Sequence, residues 1–204
     1  MKKFKLTTKS ITNEVGKKLF RIKALIDFGD VKAGELGGYV EKEGNVSQDD
    51  NAWVSGDAEV FGNAKVSGNA KVFGNAKVFG DALVFGRALV FGDAKVSGRA
   101  WVFGNARVSG DALISGNAKV SGDARVYDNA DYALVQGFGI KFRCTTFYRG
   151  KNEKIMVNCG CFHGDLEEFR KQVKETRSGK IAKEYLMIAD LMEYHFVSED
   201  SGDE

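Results

Sequence analysis

The sequence contains no proline in 204 residues. Every residue therefore keeps its backbone donor, and no pyrrolidine ring breaks a hydrogen-bonded ladder. Histidine is nearly absent as well: His163 and His195 are the only two. Everything before His163 thus lacks the side chain most often used as a general base near neutral pH. There are three cysteines, an odd number that no disulfide scheme uses up, so reduced thiols and a cytoplasmic setting are expected. No stretch approaches the roughly 18 apolar residues of a membrane helix. The opening MKKFKLTTKS has charge but no apolar run behind it, so no signal peptide is expected. Basic and acidic residues nearly balance, 30 against 28, which excludes the basic footprint of a protein that binds nucleic-acid polymers. The chain is nevertheless 43% hydrophobic, enough for a packed core and against disorder.

What is abundant is glycine, 25 residues, and its placement is periodic. The stretch AKVFGNAKVFGDALVFGRALVFGD, Ala70 to Asp93, is four near-copies of one hexapeptide. Written A-x-V-[SF]-G-[ND], the unit recurs thirteen times without insertion from Ala52 to Asn129. Alanine opens every unit, the third residue is valine except at Ile114, and the fifth is glycine except at Asp128. Alternation over four residues is the period of a strand with one buried face. Gly followed by Asn or Asp is a tight-turn signal, because Asn and Asp tolerate positive φ. One such unit cannot bury its apolar side alone, so successive units must stack into a solenoid.

Residues 1–45 read as a β cap on that solenoid, with strands at Phe4 to Leu6 and Leu19 to Phe28 about a turn at Asn13 to Lys18. A solenoid end exposes apolar surface and a free edge, and needs such a cover. Residues 46–130 form the coil, with pairing expected from near Val40 onward. Residues 131–197 read as a β-hairpin and two helices. GIKFRCTTFYRG and KIMVNCGCFHG supply the strands, joined at Gly150 to Glu153. Asp165 and Glu168 make a capping box for a helix whose apolar face is Leu166, Phe169 and Val173. Ile181, Tyr185, Ile188, Met192 and Phe196 stripe a second helix. The acidic tail 198–204 reads as disordered.

The hexad resembles the repeat of left-handed parallel β-helices, in which three units make one triangular coil of about 18 residues with coils about 4.8 Å apart. Here glycine stands two places after the aliphatic residue rather than directly after it, so a two-sided roll remains the alternative. LFRIKALIDFGDVKAGELGGYVEKEGNVSQDDNAWVSG resembles the leader of hexapeptide-repeat proteins encoded by phages and prophages, often labelled polymer-forming. TTFYRG and VNCGCFHGDLEEFRKQVKET resemble the module that closes them. The resemblance covers nearly the whole chain and implies a phage-type gene, with a host-directed role such as blocking a component of bacterial defence. It brings no catalytic residue and no cofactor.

Three constellations are candidates for function. Many left-handed β-helices are acyltransferases with a histidine on the coil, but neither His163 nor His195 lies in the repeat, and a non-enzymatic protein is expected. Cys159, Cys161 and His163 alternate in VNCGCFHG and would share one face of a strand, with Cys144 on the strand before. That set has zinc-like donors, but C-x-C-x-H is not the usual C-x2-C spacing. Core cysteines are the reading taken. The third is a row of apolar side chains in the outward positions of the hexad. With 18 residues per coil, Leu83 stacks under Trp101 and Phe85 under Phe103, while Phe73 stacks under Phe91 beside Leu89. Arg87 and Arg99 replace the turn Asn or Asp at the bounding corners. Aromatic residues with Arg are typical of binding hot spots, and a contiguous apolar patch marks an interface. Self-association into a dimer or trimer is the reading taken first. A host protein, a nucleotide, or a terminal segment folded back are the other occupants.

Overall fold

The computed structural model describes residues 2–196, so the acidic tail lies outside the described residues. Within them the repeat folds as its period dictates. Each hexad contributes one short strand, and strands pair in parallel with those 18 residues away: Leu89 lies between Lys71 and Arg107, and Trp101 between Leu83 and Lys119. Three parallel ladders result, which settles the three-sided coil over the two-sided roll. The first face runs Leu36–Val40, Glu59–Val60, Lys77–Val78, Lys95–Val96 and Leu113–Ile114. The second runs from Trp53–Val54 through Lys71–Val72, Leu89–Val90 and Arg107–Val108 to Arg125–Val126, and its 5 strands mark about five turns of coil. The third runs Lys65–Val66, Leu83–Val84, Trp101–Val102 and Lys119–Val120.

Alanine and the aliphatic residue point inward throughout. Val66, Val84, Val102 and Val120 are fully buried, as are Ala64, Ala82, Ala100 and Ala118. Burying one valine is worth about 1.5 kcal/mol or more, and the coil repeats that gain at every hexad. The corners explain the glycine. Gly104 sits at φ +72°, and a Cβ there would lie 2.8 Å from the backbone nitrogen of Gly122 one coil on. Positive φ and a backbone neighbour together leave room for no side chain. The left-handed residue at each corner is thus the glycine and not the Asn or Asp after it. Those side chains instead ladder along the corners, as where the Asn105 amide donates to Asp123 at 3.0 Å. The hexad that lacks glycine, at Asp128, is the last of the coil.

Parallel pairing begins earlier than the strict repeat. Tyr39 pairs with Glu59, Val40 with Val60 and Val46 with Val66. Gly38 stands where the repeat has alanine, because even a Cβ there would meet the Ala58 carbonyl at 2.7 Å. Ahead of it, strands Phe4–Thr12 and Lys18–Ala24 form an antiparallel hairpin that continues the first face.

The chain divides into two compact units at Asn129 and Ala130. The second is a four-stranded antiparallel sheet, Tyr132–Phe138, Arg143–Arg149, Ile155–Cys159 and Phe162–Asp165, in that order. The expected hairpin is thus only its centre. Tyr132–Phe138 is an additional strand, and VNCGCFHG splits into two. Helices α1 (Leu166–Thr176) and α2 (Gly179–Phe196) pack on Phe147 and Val157 with Phe169, Val173, Ile188 and Met192. Asp165 and Glu168 form the expected capping box, at 3.0 and 2.9 Å. The Asp165 carboxyl is held below its ordinary pKa mainly by the Glu168 backbone N–H. Arg170 ties the helices together by donating to Glu167, Asp190 and Glu193, and these partners raise its pKa. No helix among the described residues is long and apolar enough to cross a membrane.

Candidate functional site

Every hexad has two outward positions, the second and the fourth, and the large apolar residues placed there meet three different fates. On the first face Phe61 and Phe79 stack with centroids 5.1 Å apart and planes 3° from parallel. Phe61 is buried with Leu19 and Tyr39, and Ile11 packs on the same cluster. On the second face Trp53 is 4% exposed. Phe4 and Phe28 meet its ring edge-on at 6.2 and 5.4 Å. The N-terminal segment is therefore the cover for both, drawn there by the apolar residues of its own strands.

Lys3 pins that cover. Its buried ammonium donates to the carbonyls of Asp50 and Ala52 at 2.7 and 2.9 Å, and lies 4.7 Å from the Phe28 ring centre. Burial lowers its pKa, against the opposing pull of Asp50. Asn45 closes the first coil. It is fully buried, and its amide donates to the carbonyls of Gly62 and Ala64 at 3.2 and 2.9 Å. Glu41 accepts from the Gly62 N–H at 2.7 Å, which holds its carboxyl below the ordinary value.

The candidate patch is assembled on the other outward positions. Phe85 and Phe103 stack at 4.9 Å and 2° on the third face, with Trp101 edge-on to Phe85 at 6.1 Å. Leu83 stands directly opposite Trp101 in the ladder. Phe73 and Phe91 make an equivalent stack at 4.9 Å on the second face, where Leu89 also projects. The apolar row is thus divided between two faces, with Arg87 exposed at the corner joining them. Arg99 stands at the opposite corner of the third face, 3.9 Å from Asp81. Stacking buries part of each ring. Phe73, Leu83, Phe85, Leu89, Phe91 and Phe103 are half-buried, and Trp101 is 37% exposed with the Lys119 ammonium 4.7 Å from its ring centre. The ladder itself therefore explains part of why Phe recurs outward: each ring covers its copy one coil away.

On the third face the large side chains border a groove of about 730 Å³. Leu83, Phe85 and Trp101 floor it, and Glu43, Ser47 and Asp49 wall it. Its depth follows from sequence. The outward positions at the coil's start are the small Ser47 and Ser67, and the step up to Phe85 comes one coil later. Lys2 holds the lip through an ion pair to Glu43 at 2.8 Å.

The cysteine and histidine set does not come together as expected. Gly160 and Cys161 form a turn, so Cys159 ends one strand and His163 lies on the next, opposite Asn158. The shared face is lost because Gly160 takes φ +64° and reverses the chain. Cys159 accepts a hydrogen bond from the Thr145 hydroxyl at 3.1 Å. Cys144, next to Thr145 on its strand, points to the other side of the sheet. No group of three or more metal-ligating residues is found among the described residues. Cys161 is exposed, so it is not the core cysteine expected.

The outward apolar stripe of α2 was missed in the sequence reading. Met187, Leu191 and Tyr194 are 61%, 58% and 80% exposed. Their spacing of four and three residues was the available signal. No family model matches the chain, and no curated protein matches it.

Proposed function

We propose that this protein is a non-enzymatic docking and assembly protein, and that its third face binds a second copy of the chain. The observation that carries the reading is the unequal treatment of equivalent positions. Within the unit that holds the coil, the N-terminal segment covers Trp53 and Phe61, whereas Leu83, Phe85 and Trp101 line an open groove. Apolar side chains presented on a rigid coil suit a self-complementary contact between two copies. The flanking Arg87 supplies the aromatic-plus-arginine composition of interface hot spots. Removing a few hundred Å² of apolar surface from water at about 25 cal/mol per Å² is worth several kcal/mol before the entropy of association is subtracted. The corners run from turn to turn with no extruded loop, and both histidines lie off the coil, which favours docking over acyl transfer.

Light scattering on the wild type and on Phe85→Ser with Trp101→Lys tests this. Both replacements are residue types that the hexad already uses in those slots. The wild type is expected as a dimer or trimer, and the double variant as a folded species of lower mass. A monomeric wild type at high concentration would sink the reading. Retained assembly in the double variant would move the contact elsewhere, with the α2 stripe the first place to look. We further propose, on the phage-type resemblance of the chain's two ends, that the assembly is host-directed and sequesters a component of bacterial antiviral defence. Capture of a host defence protein from infected cells by the wild type and not by the double variant is the expected result. Acetyl transfer from acetyl-CoA, lost on one substitution in the coil, would overturn the non-enzymatic reading.

A further inference from the structure

The second unit contains a half-open pocket of about 210 Å³ on the α1 side of its sheet. Three elements converge there. Phe162, Phe169 and Val173 give an apolar floor. Arg143 and Lys141 come from the turn and strand after Phe138, and Arg177 follows α1. Among the described residues no aspartate or glutamate lines it. Two close approaches fix its polar tips. A Cβ on Gly160 would meet the Arg143 guanidinium at 2.5 Å, so that side chain lies flat over a bare glycine. A Cβ on Gly139 would meet the Tyr185 hydroxyl at 2.4 Å, and that hydroxyl donates to the Phe138 carbonyl at 3.4 Å. Burial raises the Tyr185 pKa, so the phenol stays a neutral donor at the pocket wall.

The pairing of charges in this unit makes the pocket stand out. The half-buried Arg149 bonds Asp131 and Glu153, and Arg170 bonds three carboxylates. Arg143 is half-buried too, yet it has no carboxylate partner among the described residues. The Arg177 guanidinium donates to the neighbouring Thr176 carbonyl and has no carboxylate partner among the described residues. A half-buried arginine without a carboxylate, with the exposed Arg177 at the same apolar floor, wants an anion, and a guanidinium fork matches a carboxylate or a phosphate. The lip adds a sign of preorganisation. Phe142 is held at φ 47°, a left-handed conformation that costs a non-glycine residue about 1 kcal/mol or more.

We propose that this pocket binds a small organic anion, a carboxylate or phosphate group carried on a single aromatic or short aliphatic body. The anionic group sits between Arg143 and Arg177, and the apolar body rests on Phe162, Phe169 and Val173. The volume is below the roughly 300–1,000 Å³ of pockets for drug-sized ligands, which limits the body to about one ring.

The test is an NMR titration of the full chain with four probes: phenyl phosphate, phenylacetate, inorganic phosphate and benzamidine. Phenyl phosphate or phenylacetate is expected to shift the resonances of Val173, Thr176 and Tyr185 saturably. The tighter of the two assigns the anionic group. Inorganic phosphate is expected to bind about tenfold more weakly or worse, having no body for the floor. Arg143→Gln with Arg177→Gln is expected to weaken the aromatic anion by about tenfold or more. Benzamidine, with the same ring and the opposite charge, is expected not to bind, and this arm needs no variant. The proposal is overturned if benzamidine binds as well as the anions. It is also overturned if a folded double variant binds undiminished, or if neither aromatic anion shifts these resonances by about 10 mM.

Discussion

Trp53 and Trp101 occupy the same slot in two hexads on adjoining faces of the solenoid. Trp53 is 4% exposed beneath Phe4 and Phe28, and Trp101 is 37% exposed at the edge of a groove. Their hexads, AWVSGD and AWVFGN, place both rings outward and differ only in the fourth and sixth residues. The difference comes from 25 to 49 residues away in the chain, where the N-terminal segment lays Phe28 and Phe4 over one face and leaves the other. An outward aromatic in a solenoid is therefore neither core nor interface by its position. The cover decides.

The comparison can be broken most severely through what both faces share, the corner. Gly104→Val forces a β-branched residue to positive φ against the Gly122 backbone, and is expected to cost about 5 kcal/mol. Urea denaturation of the coil measures it, and a loss under about 2 kcal/mol would show that the corner can relax. The comparison itself is sharpened next. Trp53→Ala is expected to cost about 3–5 kcal/mol, as for a buried core residue, and Trp101→Ala below about 1 kcal/mol in a dilute monomer. Equal losses would mean that the cover contributes nothing. Two asparagines repeat the contrast on a smaller scale. Asn45→Ala leaves two buried carbonyls unpartnered and is expected to cost about 2 kcal/mol, while Asn105→Ala on an exposed corner costs below about 0.5 kcal/mol.

The smallest effect is a pH slope from the pin of the cover. Burial places the Lys3 pKa below its value in the unfolded chain. Between the two values the unfolded state binds more protons, so this residue's contribution to stability rises with pH there. Below the folded pKa the cost of the buried charge is present in full. Subtracting a Lys3→Met variant from the wild type should leave a stability difference that climbs as pH approaches the ordinary lysine range. A flat difference would mean that the ammonium is as well solvated folded as unfolded.

Much of this was legible in advance. The hexad fixes stacking of successive units and the inward alanine and valine, because each is a consequence of a period; the resemblance to three-sided coils added the i to i+18 pairing of Leu83 with Trp101 and Phe85 with Phe103, which the ladders and the ring stack show. The capping box at Asp165 and Glu168 was legible for the same reason: its partners lie three residues apart. What failed lay where the chain departs from a period. Gly160 turns one apparent strand into two and scatters Cys159, Cys161 and His163. Tyr132–Phe138 carries no clean alternation, so nothing in the sequence separates that strand from the end of the repeat. Lys3 and Asn45 look like surface residues in sequence, and only their carbonyl partners some twenty to fifty residues away explain their burial.

The sequence by itself determined that the chain coils, because a repeat with glycine corners and an alternating apolar face can bury that face only by stacking; that the coil has three sides was decided by the fold. It also determined which side chains project, since alternation leaves no other choice. Only the tertiary structure decided which of those side chains meet water. The hairpin's direction across the first and second faces and the groove on the third arise from contacts between distant segments, and so does the convergence of Arg143, Arg177 and Tyr185 on one pocket. A local period does not encode such contacts, because their free energy comes from surfaces that exist only once the chain has folded.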